Sequence, residues 1–213
     1  YTFQTMSYTI DIYRDSNKKF DSFLDFACYA AFFPQLVAGP IVRADYFREQ
    51  IKAPLKIDSV RFRLGLTLII YGIAKKFIVA DNVALHANAV FVEGEHLANI
   101  GLVWWATLCF GIQIYCDFSA YTDIAIGSAH LFGITLPENF KTPYAATSPQ
   151  DFWRRWHISL SSWLRDYLYI PLGGSRNGVN RMVFALMMTM LLGGLWHGAS
   201  WNFIVWGFVH GLL

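Results

Sequence analysis

Polar and apolar positions along this chain separate into long blocks rather than short alternations. Residues 26–42 hold no charge over 17 positions, although Pro34 and Pro40 interrupt them. Residues 64–80 are apolar apart from Lys75 and Lys76, and residues 97–116 are 20 uncharged positions. From Met182 to Leu213 there are 32 residues with no Asp, Glu, Lys or Arg. A helix crosses the roughly 30 Å hydrocarbon core with about 20 residues, so these runs predict an all-α membrane protein. The last run is too long for one upright helix, because 32 residues at about 1.5 Å each span roughly 48 Å. Gly193-Gly194 and Gly198 predict a break inside it, with a second segment from about Ala199.

One stretch has a different period. Over 148–170, at about 100° per residue, Trp153, Trp156, His157, Leu160, Trp163, Leu164 and Tyr167 fall on one arc. Asp151, Arg154, Arg155, Ser162, Arg165 and Asp166 fall on the other. The pattern predicts one amphipathic helix, capped by Ser148, with Pro149 at its first position and Asp151 completing a capping box. Such a helix lies along the membrane boundary with its arginines reaching to headgroups. Pro171 and Gly173-Gly174 end it.

Composition agrees with a membrane setting. Charged residues are 15% of the chain and aromatics 17%, against about 25% charged in a soluble domain. Rings in such number suit the two lipid–water boundaries. No basic tract interleaves with aromatics, so nucleic acid is not an expected partner. Cys28, Cys109 and Cys116 sit in apolar surroundings and read as core or lipid-facing residues. The chain begins without Met and ends within an apolar run, so one membrane-embedded core over 1–213, a piece of a longer chain, is expected.

Charge placement suggests an orientation. The connections 43–63 and 137–181 carry six Lys or Arg each, whereas 81–96 carries none. Basic connections face the cytoplasm, so 64–80 should run outward and 97–116 return. Residues 117–136 then have both flanks on the cytoplasmic side. They also contain Asp117 and Asp123, each costing about 2.5–3.5 kcal/mol at mid-bilayer. A re-entrant or protein-buried segment is the expectation there.

Two histidines stand out as candidate chemistry. His197 lies at the predicted break, in GGLWHGASWNF, where glycines remove bulk and let a backbone or substrate come close. A neutral imidazole can take a proton at one nitrogen while the other is held, which is what a base needs to activate a hydroxyl. The plainer reading is a structural histidine hydrogen-bonded inside a bundle. His157 sits on the apolar arc and reads either as a satisfied core residue or as an acid/base partner. His210 reads as structural, and His86, His96 and His130 have no company that suggests chemistry. DFSAYTD at 117–123 places Asp117, Ser119, Tyr121 and Asp123 together, as a polar passage or a buried hydrogen-bond network. GGSRNG at 173–178 reads as a turn rather than a phosphate cradle. Neither HExxH nor paired CxxC occurs, so the spacing suggests no metal site.

DFSAYTDIAIG, LPENFKTPY, DFWRRWHISLSSWLRDYLYIPLGGSRNG and GGLWHGASWNFIVWGFVHG occur in this order. Together they resemble the alginate O-acetyltransferase type of the membrane-bound O-acyltransferase (MBOAT) family, with the D-alanyl transfer proteins of teichoic acid synthesis more distant. The resemblance covers nearly the whole chain, with Ala120 standing where the family pattern DFSGYSD has glycine. It implies tilted, broken and re-entrant helices around a central funnel, flanked by interfacial amphipathic helices, in a multi-pass protein of the bacterial inner membrane. It implies His197 as the invariant histidine and His157 as the second polar position, and Trp196 and Asn202 are candidates for binding substrate or lining a channel. The implied substrate is a cytoplasmic acyl thioester, acetyl-CoA or an acyl carrier protein, with no bound cofactor. A partner acyltransferase outside the cytoplasm would carry the group to polysaccharide. Arg154, Arg155 and Arg165 are candidates for the donor's phosphates, or for anchoring to anionic headgroups.

Two rival classes remain at this point. A transporter or channel explains broken helices and buried polar groups equally well, but needs no thioester and leaves no acyl product. A scaffold for a secretion complex would tolerate loss of both histidines.

Overall fold

A computed structural model describes residues 2–36, 39–54, 57–94 and 99–213. The uncharged run 97–116 therefore begins, as His96 lies, outside the described residues. The helices are α1 (Thr2–Arg14), α2 (Phe23–Ala31), α3 (Ala44–Lys52), α4 (Ser59–Ala74), α5 (Asp81–Phe91), α6 (Ile100–Leu131), α7 (Pro149–Arg155), α8 (Ile158–Leu164), α9 (Val179–His197) and α10 (Trp201–Leu212). Among the described residues there is no strand. Two compact units are formed, Tyr1–Asn139 and Phe140–Leu213.

In the first unit, α4 and α5 are one course of helix joined by a π-helical turn at Lys75–Ala80. The apolar run 64–80 therefore does not end in an extended connection; helix continues to Phe91. Residues 117–136 also correct the expectation. They are not a separate re-entrant segment, because α6 runs unbroken from Ile100 to Leu131. The other half of that expectation, burial in protein, holds. Cys116, Ser119, Ala120, Thr122, Ala125, Gly127 and Ala129 are all buried.

These residues are small because α4 presses against them. A Cβ on Gly65 would lie 2.7 Å from the Gly127 carbonyl oxygen, and one on Gly127 2.6 Å from that of Gly65. A Cβ on Gly72 would lie 2.7 Å from the Ala120 oxygen. Helices approach this closely in membranes where small residues face one another. Ala120 does not loosen the contact, since Gly72 supplies the missing bulk allowance from the other helix.

The rest of the unit closes around Tyr29, which is fully buried and donates its hydroxyl to the Val42 carbonyl at 2.9 Å. Its own carbonyl accepts from the side-chain amides of Gln4 (3.0 Å) and Gln35 (2.6 Å). Phe20, Val42, Phe47, Ala125, Ile134 and Leu136 fill the core around it.

In the second unit, Ser148 caps α7 as expected, its Oγ accepting from the Asp151 N–H at 3.1 Å. Asp151 returns a carboxylate oxygen to the Thr147 N–H at 3.3 Å. The single helix expected over 148–170 is not formed. It breaks at Trp156 and His157, then resumes as α8 and a π-helical turn at Arg165–Tyr169. The reason is His157, whose backbone is left-handed (φ 43, ψ 55). The arc still reports burial beyond the break, for His157, Leu160, Trp163 and Tyr167 are buried. The 173–178 segment is a turn, with positive φ at Gly173, Gly174 and Gly178, which suits glycine alone.

The break in the 32-residue uncharged run falls where it was expected, between α9 and α10. Gly193 and Gly194 are not the break. They lie within α9, and Gly194 makes room for the Phe203 carbonyl of α10. Both α6 and α9 are long and apolar enough to cross a membrane. Large apolar side chains remain exposed along α4, the π-helical turn after it, α6, α9 and α10, among them Ile70, Phe77, Trp104, Leu108, Phe184 and Trp201. Exposure on that scale marks a surface made for lipid or protein cover.

Candidate functional site

The hairpin of α9 and α10 holds His197 at its tip. Three close approaches set its register: Gly194 under Phe203, Gly207 against Met190, where a Cβ would lie 2.5 Å from the carbonyl oxygen, and Gly211 against Met187. Ser200 starts α10, its Oγ accepting from the Asn202 N–H at 3.4 Å. Gly198 follows His197 because the Phe203 ring occupies the space a side chain would need, with Cε2 2.5 Å from the ideal Cβ. Its backbone is extended (φ 169), so closeness rather than conformation demands glycine there.

His197 is exposed and ringed by aromatics. Trp196 lies 4.9 Å away between ring centroids, Phe203 stacks at 6.1 Å and 25°, and Trp206 meets it edge-on at 5.4 Å and 75°. Trp206 also touches His210 at 4.5 Å and Trp153 at 5.8 Å. Among the described residues His197 makes no ion pair, so its proton affinity is available to a substrate.

His157 has the opposite character. It is 6% exposed. Burial lowers its imidazole pKa from 6.5 to about 3, with the nearby His197 imidazole adding a smaller push the same way. The ring is therefore neutral at physiological pH, and the two histidines are within electrostatic reach of each other. A non-glycine residue in left-handed backbone is strained by about 1–3 kcal/mol, and such strain clusters at functional sites.

The remaining candidates divide between the units. Asp117, Ser119 and Asp123 belong to an ion-pair network in the first. Lys75 meets Asp123 at 2.5 Å and Ser119 at 3.1 Å, and its ammonium lies 4.7 Å over the Tyr71 ring. Lys76 meets Asp117 at 2.7 Å and Asp81 at 2.8 Å. Tyr121 is exposed on the same helix. Of the two readings of DFSAYTD, the bonded network is the one the geometry favours. In the second unit Arg155 is held by Asp151 at 2.9 Å and Arg165 by Asp166 at 2.7 Å, while Arg154 is exposed. Asn202 is exposed in the first turn of α10, and Trp196 is exposed beside His197.

Sequence reasoning missed Phe203 and Trp206 as neighbours of His197, and Trp153 as a neighbour of Trp206. Phe203, Trp206 and His210 recur at i, i+3 and i+7 on α10, a spacing that puts them on one face, and that was the available signal. It also missed Lys75 and Lys76 as the partners of the two aspartates.

The model of MBOAT, the membrane-bound O-acyltransferase family, matches residues 13–213. This chain is an MBOAT protein. The MBOAT relatives include a protein named "Probable alginate O-acetylase" from Azotobacter vinelandii, 44% identical over 215 residues that take in 99% of this chain and 42% of the relative. A peptidoglycan O-acetyltransferase of Helicobacter pylori is 45% identical over 192 residues, 89% of this chain and 36% of the relative. A teichoic acid D-alanyltransferase of Streptococcus thermophilus is 28% identical over 229 residues, 99% of this chain and 54% of the relative. The chain thus spans less than half the length of the first two MBOAT relatives.

Proposed function

We propose that this chain carries the reacting centre of an O-acyltransferase in the bacterial inner membrane. In this reading the full-length, multi-pass protein arranges its helices around a funnel. An acyl group, acetyl by expectation, arrives as a cytoplasmic thioester of coenzyme A or of an acyl carrier protein. It leaves toward a hydroxyl acceptor on the other side, directly or through a partner acyltransferase, and ends as an ester on a polysaccharide such as alginate. The three relatives named above share the transfer of an acyl group to a polymer, which supports this assignment.

His197 acts as the base. Its imidazole takes the acceptor's hydroxyl proton as the new C–O bond forms, the thioester C–S bond breaks, and the proton passes to the leaving thiolate. Such a base contributes about 10²–10⁴-fold. His157, neutral and close by, assists by orientation or hydrogen bonding and does not compete for the proton. Arg154, exposed, is a cation that can meet donor phosphates. The observation that carries the reading is the pairing of a reachable imidazole at a helix break with a buried neutral one beside it. Mass analysis of surface polysaccharide tests it. His197→Ala should abolish acylation while the protein still inserts and unfolds at the wild-type midpoint. Near-normal acylation in that variant would end the assignment.

A further inference from the structure

We propose that Trp206 is a positioning residue that fixes the His197 imidazole in its working orientation; this rests on the reading of His197 as the base. A base helps only when its ring is held within about 0.5 Å and 10–20° of the productive pose. His197 is the last residue of α9 and is followed by Gly198, so its own helix offers the ring a neighbour from the N-terminal side alone, Trp196 at 4.9 Å. Further restraint comes from α10. The Phe203 ring lies near-parallel to the imidazole with centroids 6.1 Å apart, and the Trp206 indole meets it edge-on, the two being one turn apart.

Trp206 is itself braced from behind. His210 lies 4.5 Å from it and Trp153 5.8 Å, and Trp153 and His210 contact each other at 5.2 Å and 81°. Three rings in mutual contact brace the half-buried indole from one side. The neighbouring Gly207, close against the Met190 and Leu191 backbone, fixes the height of Trp206 along α9. The aromatic row on α10 is thus a rest for the imidazole, and His210 supports it without touching the reacting atoms.

The test uses the full-length protein in its own membranes, with Trp206→Phe and Trp206→Leu. Two quantities are read: O-acyl content of the surface polysaccharide per folded protein, and the rate at which diethyl pyrocarbonate modifies His197, mapped by mass spectrometry with His86 as internal reference. The Leu variant should lose acylation on the order of tenfold, in line with the effect of small misplacements. Its His197 should react at a rate several-fold different from wild type while His86 is unchanged. The Phe variant should restore most of both. The proposal is overturned if the Leu variant acylates normally, if its loss tracks folded protein with His197 reactivity unmoved, or if Phe fails as badly as Leu. Should His197→Ala still acylate, the base assignment falls on its own, and the reactivity comparison still decides whether Trp206 holds the ring.

Discussion

The pair α4–α6 and the hairpin α9–α10 are built by the same rule and finished differently. Each is an apolar helix pair in which glycines let one backbone lie against the other. In α4–α6 the ionisable groups meet opposite charges: Lys75 with Asp123, Lys76 with Asp117 and Asp81. In α9–α10 the ionisable groups are imidazoles that meet rings. A part-buried charge that already has its counter-ion has less to offer a substrate, and removing one partner strands the other. An imidazole among aromatics keeps its lone pair. Ionisable groups in an apolar helix therefore serve architecture in one region and, on the function proposed here, chemistry in the other, and what separates them is the partner.

The sharpest way to break this comparison is to exchange its consequences. Lys75→Leu alone leaves Asp123 buried without its cation, and loss of one partner of a buried pair costs about 3–5 kcal/mol. Lys75 and Asp123 side chains are 13% and 21% exposed, so the pair is shielded enough for that range to apply. Unfolding of the full-length protein in mixed micelles should show the loss, and Lys75→Leu with Asp123→Leu should regain most of it. Acylation per folded molecule should stay within a few-fold of wild type. His197→Ala should do the reverse. If the lysine variant instead lost turnover at full stability, the network would belong to the chemistry.

A second effect, smaller and tied to pH, separates His157 from its neighbours. In the unfolded chain its imidazole titrates near 6.5, in the folded unit near 3. Between those values the unfolded state binds more protons, so folding stability is full above 6.5 and falls as pH drops toward 3. His157→Asn keeps a side chain that tolerates left-handed backbone and removes the titration. Its stability should be flatter than wild type across that acid window in a denaturant series run at several pH values. Equal slopes would mean that the imidazole is not held neutral by burial.

Much of this was legible, and the failures share one cause. The membrane class, the break before Ser200, the Ser148 cap and the glycine turn at 173–178 follow from signals within a few residues. The unbroken course of α6 does not. Asp117 and Asp123 argued for an interruption because each was weighed alone, whereas their partners are 41 and 48 positions away, at Lys76 and Lys75. The break at His157 was hidden for the opposite reason. Its neighbours keep a helical period on both sides, and no glycine or proline marks the one residue that turns left-handed. The neighbours of His197 lay on a helix whose spacing was visible, but which face met α9 was not.

The smallest expected effect tests whether the two glycine contacts are equally stiff. A Cβ at Gly127 would press on the Gly65 carbonyl oxygen at 2.6 Å and on the Ile69 N at 3.1 Å. Backbone cannot yield, so Gly127→Ala should separate α4 from α6 and cost about 1–3 kcal/mol, the range for overpacking. At Gly211 the nearest atom is the Met187 sulfur, 2.8 Å away, at the end of a flexible side chain. A thioether turns aside at little expense, so Gly211→Ala should change stability by less than about 1 kcal/mol, as most mild substitutions do. Unfolding midpoints of the two variants in the same micelles make the comparison direct. A loss at Gly211 equal to that at Gly127 would mean that α10 is seated along its whole length as rigidly as α4, and that Trp206 is held by the helix rather than by the rings behind it.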